Sequence, residues 1–434
     1  MQAHPPMQRI ALRVPPLTAK PVSRMTRTGS IIMYRALAAA CLAVLGCGTV
    51  NEEFPDQERR PGAVPANPRV AWHYADSHLA VPAHAGGALF VGGKSLVRLD
   101  GETGAVLSRF ELEGASKGGW LSPPAVEGEH VVATHTRGIV VCLDATLTET
   151  CWEADLGLEP EQEGSRASPY FPGVLEGHVY LLAMGRLVIG LDADTGVLRW
   201  RHDAPGNVMM SPATDGERVF FGTSNGSFRA LDIQSGALLW DHQRDAEYGW
   251  TFPVVADGVV YVGDRGSGNG MRRSDTGKLT TEVELPRSGA LNAFDAQSGD
   301  YLWGRLFGGT GMSLPHVSGD RVYIGYLKTV MPLRLGTGAF ITQAAVDAGS
   351  NPFGSPTVIG DSLVFGTLGG SLRVSDRRTS ELRWELQIEG HKVGSFVATD
   401  DRIYVATGLG LLAIEETPGS APLPAGSVIS WGAD

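Results

Sequence analysis

Cysteine is scarce in this chain of 434 residues, and the four present, Cys41, Cys47, Cys142 and Cys151, include no adjacent pair and no Cys-x-x-Cys. That excludes a dense disulfide framework, a thioredoxin-like redox pair, a c-type haem attachment and a zinc ribbon. There is no His-Glu-x-x-His and no Gly-x-Ser-x-Gly on a strand-turn-helix. The glycine-rich GSGNG at 266–270 lacks the lysine and helix that a phosphate loop needs. The 11 histidines are scattered, with no metal-like pair at helical spacing. DADTG, from Asp192, resembles the start of a calcium loop but lacks the third acid, the glycine at position six and the terminal glutamate. The residues therefore give no catalytic, cofactor-binding or metal site.

Positive charge is also in short supply, with 36 Lys and Arg against 47 Asp and Glu, a net charge of −11. Six of the basic residues, Arg9, Arg13, Lys20, Arg24, Arg27 and Arg35, precede residue 47 in a stretch without any acid. Without them 30 basic residues face 47 acidic ones, a net −17. So acidic a chain disfavours nucleic acid and anionic lipid as partners.

Long apolar runs are missing too. The stretch Ala36–Gly46 is small and apolar but too short to cross a bilayer. A basic n-region, a short apolar run and small residues before a cleavage point describe a secretory signal over 1–46, with Met25 or Met33 giving a start of ordinary length. VLGC, Val44–Cys47, resembles a lipobox, so cleavage is expected before Cys47 with lipid on its sulfur. Cleavage before Cys41 would leave almost no apolar region. Residues 47–68, polar and carrying Pro55, Pro61, Pro65 and Pro68, read as a tether.

What the chain has in abundance is a repeat. LDIQSGALLW (Leu231–Trp240) recurs as LDADTGVLRW (Leu191–Trp200), FDAQSGDYLW (Phe294–Trp303) and LDATLTETCW (Leu143–Trp152), and more weakly at Leu99–Ser108 and Ser375–Trp384. In five of the six, Asp and Trp stand eight residues apart: Asp144 and Trp152, Asp192 and Trp200, Asp232 and Trp240, Asp295 and Trp303, Asp376 and Trp384. A strand ending at Asp, whose carboxylate accepts from N–H groups two or three residues on, and a Gly at positive φ make a hairpin turn into a strand bearing Trp.

Before each copy comes a Pro or Ser-Pro, an Asp-Gly or Gly-Asp turn and an alternating strand, so each unit reads as four short antiparallel strands. Pro82, Pro124, Pro172, Pro212, Pro253, Pro315, Pro356 and Val397 mark eight units, with Asp100, Asp144, Asp192, Asp232, Asp295, Leu335, Asp376 and Glu415 at the Asp position. Four strands at such a period predict an all-β, eight-bladed β-propeller over 69–416, leaving 417–434 as a C-terminal tail. Glu415 has no Trp after it, whereas Trp72 has no Asp turn before it, so an N-terminal strand is expected to complete the last blade and close the ring. The periodic Trp residues are expected to dock blade on blade. Trp120 and Trp250 fall outside that register, and a surface or the central channel is expected for them.

Ala-x-Asp-x-x-[Thr/Ser]-Gly-x-x-x-Trp resembles the repeat of the pyrroloquinoline-quinone-like propeller family, and Ala230–Trp240 and Ala293–Trp303 match it in full. The resemblance spans about Arg69 to Glu415, with blade six degenerate around Leu335. That family includes quinone-dependent alcohol dehydrogenases and non-enzymatic BamB-like lipoproteins of outer-membrane assembly. The dehydrogenases typically carry adjacent cysteines beside the cofactor and an acidic calcium site at the ring centre. This chain has no such cysteine pair, so the resemblance implies the propeller without implying the cofactor. It implies instead a lipid-anchored scaffold at the outer membrane facing the periplasm, without cofactor, binding envelope proteins such as the β-barrel assembly machinery. A pyrroloquinoline-quinone-dependent dehydrogenase and a propeller holding a small ligand or peptide in its channel are the alternatives.

Two further features stand out. Cys142 and Cys151 straddle the turn of blade two, within reach of a cross-strand disulfide in an oxidising compartment. About 22 extra residues enter blade five between Asp264 and Gly289, where Arg265, Arg272, Arg273 and Lys278 concentrate positive charge on an acidic chain. Loops on a rigid scaffold carry function, which makes this the expected partner-binding loop.

Overall fold

The computed structural model describes residues 10–11, 64–76, 81–113, 119–120, 123–157, 174–176, 179–208, 210–243, 250–264, 269–273, 279–284, 289–307, 313–388, 391–394 and 396–431. Residues 83–110, 125–155, 174–203, 213–243, 250–307, 316–347 and 352–388 each fold into one sheet, blades 1 to 7 in chain order. In each, four antiparallel strands are laid side by side in chain order, those of blade 5 interrupted by a separate hairpin over 269–284. One more sheet is a composite: Phe396–Ala398, Arg402–Thr407 and Gly410–Glu416 from near one end of the chain, with Pro68–Ala75 from near the other as the fourth strand. Arg69 stands opposite Glu415 and Tyr74 opposite Leu411 in that pairing.

The expectation of eight uniform four-stranded antiparallel blades is corrected by this topology. Seven blades, not eight, fold from one contiguous stretch each, and the remaining sheet is spliced from two distant segments. Two of the seven carry a fifth strand, and both additions pair in parallel: Ile10–Ala11 beside Ala154–Asp155 in blade 2, and Ser427–Trp431 beside Trp384–Ile388 in blade 7. Part of the segment expected as a tail, 417–434, is thus ladder. A parallel partner has no sequence signature in the repeat, because it comes from outside it. Among the described residues the only helical turn is Thr342–Ala344, and no helix is long and apolar enough to cross a membrane.

Strand burial follows position in the blade. Middle strands such as Arg218–Gly222 are buried on both faces, since neighbouring blades cover both, and read as near-continuous apolar runs. Fourth strands such as Leu198–Asp203 alternate, presenting Trp200 inward and charged residues outward. First strands of successive blades approach one another, so they lie at the axis and the fourth strands at the rim. The core is divided among the junctions: Leu181, Val188 and Trp200 of blade 3 meet Val219, Phe221 and Leu231 of blade 4. Leu89, Val97 and Leu99 of blade 1 meet Tyr404, Leu411 and Ala413 of the spliced sheet in the same way, so the ring is continuous.

Blade 6 requires a change of register. Gly338 N–H donates to the Arg334 carbonyl and Arg334 N–H to Ala339, the pattern that Asp192, Gly196 and Val197 make in blade 3. Arg334, not Leu335, therefore holds the Asp position. The aspartate that would have marked it is absent, so the expected position, Leu335, is one residue late.

Candidate functional site

The repeat aspartates are used up by their own turns. In blade 3, Asp192 Oδ1 accepts from the Thr195 N–H at 2.9 Å and hydroxyl at 2.7 Å, while Oδ2 accepts from Arg199 Nη2 at 2.7 Å. Asp232 does the same with Ser235 at 2.8 and 2.6 Å, and Asp295 with Ser298 at 2.7 and 3.0 Å. Each carboxyl is held below the ordinary carboxylate range by these donors, chiefly Arg199 and then Thr195 for Asp192, the Ser235 hydroxyl for Asp232, and the Ser298 N–H for Asp295. Burial would raise Asp376, but the Thr379 N–H and the Arg383 guanidinium bring it to about 2. Carboxylates so committed are turn devices rather than acids, bases or metal ligands.

The periodic tryptophans dock between sheets. Each Nε1 donates to the carbonyl just after the Asp position of the next blade: Trp152 to Ala193 at 2.8 Å, Trp200 to Ile233 at 2.8 Å, Trp240 to Ala296 at 3.1 Å, Trp303 to Leu335 at 2.8 Å. Trp72 reaches Gly101 at 3.2 Å and so joins the spliced sheet to blade 1. Trp384 instead donates to Pro65 at 2.6 Å, on a strap whose Ala66 and Asn67 N–H groups are held by Glu416. Trp120 and Trp250, expected at a surface or the channel, are corrected to core positions at the blade 1–2 and 4–5 junctions, 1% and 2% exposed.

The insertion of blade 5 forms its own two-stranded hairpin, Asn269–Arg273 against Leu279–Glu284, separate from the blade's sheet. Arg272 is paired with Thr280 and Arg273 with Leu279, next to the turn. Arg265 and Lys278 lie outside the described residues, as does Cys47. The backbone thus places Arg272 and Arg273 at the turn end of a separate ribbon.

Cys142 and Cys151 are free thiols here, one buried and one exposed, so the expected bridge is not formed in this structure. A β-bulge explains their approach. Thr150 pairs with Leu143 and Trp152 with Cys142, leaving Cys151 as the extra residue and turning it toward Cys142. His130, missed in the sequence, joins them: its strand pairs Val132 with Cys142 and His130 with Asp144, which puts the imidazole on the same face. Its ring nitrogen and the two sulfurs lie within 4.8 Å of one another. Burial pushes the Cys142 thiol up, reinforced by Cys151 and by Asp194 of the next blade's turn.

A second feature without a signal in the sequence is Glu176, whose carboxyl is raised by burial and then by Glu127, at the end of the neighbouring first strand of blade 2, and Asp215, just past the end of that of blade 4. Two open grooves at blade junctions, one lined by Asp257, Asp320 and Arg334 and the other by Glu217, Arg218 and Gln297, are formed by the repeat turns themselves.

Known proteins share this geometry. The family profile described as outer membrane protein assembly factor BamB matches residues 65–171, 92–247, 136–292 and 249–423. BamB of Yersinia pestis is 26% identical over 46% of this chain and 60% of its own length. BamB of Shewanella oneidensis is 24% identical over 68% of this chain and 84% of its own length. The dehydrogenase subunit of a quinone alcohol dehydrogenase from Gluconacetobacter polyoxogenes is also similar, at 26% identity over 62% of this chain, but the match spans only 34% of that protein. Among solved structures, BamB from Moraxella catarrhalis superposes with a TM-score of 0.57 at 15% identity, over 80% of this chain and 99% of that one, which is a likeness of fold.

Proposed function

This chain belongs to the outer membrane protein assembly factor BamB family, and on that footing we propose that it is a non-catalytic, lipid-anchored envelope scaffold that binds other proteins, in a BamB-like role in outer-membrane β-barrel assembly. The observation that carries this reading is where the polar groups go. The repeat Asp, Thr, Ser and Trp side chains are engaged in turns and blade docking, which leaves recognition by the surface as the output of a rigid ring. The hairpin of blade 5 is the contact element, because Arg272 and Arg273 beside its turn can steer a partner of complementary charge. Lipid on Cys47 would hold the ring at the outer membrane facing the periplasm.

The test is affinity capture from crosslinked cells, comparing the intact protein with one lacking the insertion between Asp264 and Gly289. Enrichment of barrel-assembly components by the intact protein alone is expected. If neither enriches them, the assembly role is wrong; equal enrichment removes the hairpin from it. Mass spectrometry of the mature N-terminus checks lipid on Cys47, and unchanged membrane association of Cys47→Ala would count against the anchor.

The quinone dehydrogenase relatives favour a second reading, an enzyme using pyrroloquinoline quinone. The residues present do not fit that cofactor. Cys142 and Cys151 are nine positions apart in sequence and flank a turn in the outer half of blade 2, away from the first strands at the axis. Adding the quinone with calcium should give no dye-linked alcohol oxidation, whereas stoichiometric binding would restore the enzyme.

A further inference from the structure

Blade 2 differs from its siblings at three positions that meet on one surface. The bulge position, Cys151 here, is Arg199 in blade 3 and Arg383 in blade 7, each reaching back to its turn aspartate. The position opposite that aspartate, His130 here, is Arg218 in blade 4 and Ser362 in blade 7. The position facing the docking Trp, Cys142 here, is Gly190 in blade 3 and Ala230 in blade 4. Other blades place apolar residues there, Leu239 and Leu302 at the bulges of blades 4 and 5 and Val179 and Val259 opposite the aspartates of blades 3 and 5, so blade 2 carries thiol, thiol and imidazole at positions where these siblings carry no such donor. We propose that His130, Cys142 and Cys151 form a binding site for a borderline-soft transition-metal ion of the Zn²⁺ class.

The donor set fits that class. Two sulfurs and one imidazole nitrogen are the ligands zinc selects, and hard oxygen-seeking ions are disfavoured. With metal–sulfur and metal–nitrogen bonds of about 2.3 and 2.0 Å, tetrahedral ligands stand roughly 3.5–3.8 Å apart, so atoms already within 4.8 Å of one another need contract by only about 1 Å. Entry is open because His130 and Cys151 are exposed, while Cys142 anchors the site from the blade interior. Asp144, opposite His130, is not a competing ligand: Oδ1 accepts the Thr148 and Glu149 N–H groups at 2.7 Å each, and Oδ2 accepts from Thr146. On binding, each thiol releases its proton and the neutral imidazole donates its lone pair, so two protons leave per ion and no redox partner is required.

A disulfide is the competing fate of the two sulfurs, and it makes no use of His130. The test uses the full chain in a Cys41→Ser, Cys47→Ser background, reduced and titrated with Co²⁺ and then Zn²⁺. One cobalt per chain with thiolate-to-metal charge-transfer absorption is expected, displaced by one equivalent of zinc. Cys151→Ser and His130→Ala, both at exposed positions that leave the core intact, should each weaken binding at least about tenfold, since even groups outside the ligand shell matter that much. Three outcomes overturn the proposal: no charge-transfer band in the reduced chain, unchanged affinity in His130→Ala, or protein isolated from cells lighter by two hydrogens with both thiols joined. Cys142→Ser is the buried variant, and none of these outcomes depends on its folding.

Discussion

Trp200 covers Gly236 of the following blade so closely that a Cβ on the glycine would stand 2.6 Å from the indole ring. The same relation holds between Trp152 and Gly196 at 2.5 Å, Trp240 and Gly299 at 2.7 Å, and Trp303 and Gly338 at 2.4 Å. All four glycines have positive φ, but that alone does not demand glycine. Blade 1 has Ser108 in place of Trp, and the turn after it has Thr148 at the glycine position, its positive φ shifted one residue earlier to Leu147 at 58°. Blade 6 has no tryptophan in its last strand, and the next turn carries Ser380 at φ 65°. Glycine is required where the preceding blade supplies an indole.

That relation separates two glycines of similar backbone. Gly258, at φ +74°, has nothing within 4 Å of where a methyl would stand, whereas Gly236, at φ +67°, has the indole. Gly258→Ala should lose only the left-handed strain of about 1–2 kcal/mol. Gly236→Ala should lose about 1–3 kcal/mol more through overpacking. Urea unfolding measures both, and equal losses would show that the contact does not control the residue. Trp200→Ala should cost about 3–5 kcal/mol, and the double variant less than the sum, because the two residues touch.

His316 is buried at the blade 6–7 junction, where its Nε2 accepts the Val358 N–H at 3.2 Å, and burial lowers its pKa to about 4. The unfolded chain takes up the proton near pH 6.5 while the native chain does not until about pH 4. The unfolded state therefore binds more protons in that window, and stability falls as pH drops through it, by up to roughly 3 kcal/mol. His316→Gln, which has no titrating ring, should flatten that part of the stability-against-pH curve.

Arg402 ties the spliced sheet to itself and to blade 1. Its Nε and Nη2 donate to Glu415 Oε2 at 2.9 and 2.7 Å, and its Nη1 to the Gly101 carbonyl at 2.9 Å. With both side chains largely buried, Arg402→Met should lose about 2–3 kcal/mol, and Arg402→Lys should recover little, since an ammonium cannot reproduce the fork. Hydrogen exchange should rise first in residues 68–75, and uniform loss across all blades would refute a local closure role.

The repeat unit, its Asp turn and the docking of Trp were legible because each follows from one short pattern copied at fixed spacing. What escaped the sequence lies between copies. The strap that receives Trp384 comes from 319 positions away. The blade 6 turn lost its aspartate and with it the register, now read from Arg334. Trp120 and Trp250 are core because crossings between blades run over a buried junction. His130 gave no local signal beside the cysteines, since only the strand pairing carries it from 12 positions upstream to Cys142. The insertion of blade 5 was visible as extra length carrying Arg272 and Arg273, but its ribbon form was not.

Splicing one sheet from segments 346 positions apart, as Arg69 and Glu415 are, also sets a timetable. The strand holding Trp72 and Tyr74 is synthesised before all seven blades, yet its ladder partner, Gly410–Glu416, is made after them. Until then its ladder edge is unpaired, a state prone to association with other chains. Maturation of this molecule is therefore gated by residues 396–416, which follow blade 7: a nascent chain stalled before them would hold finished sheets in an arc that cannot shut.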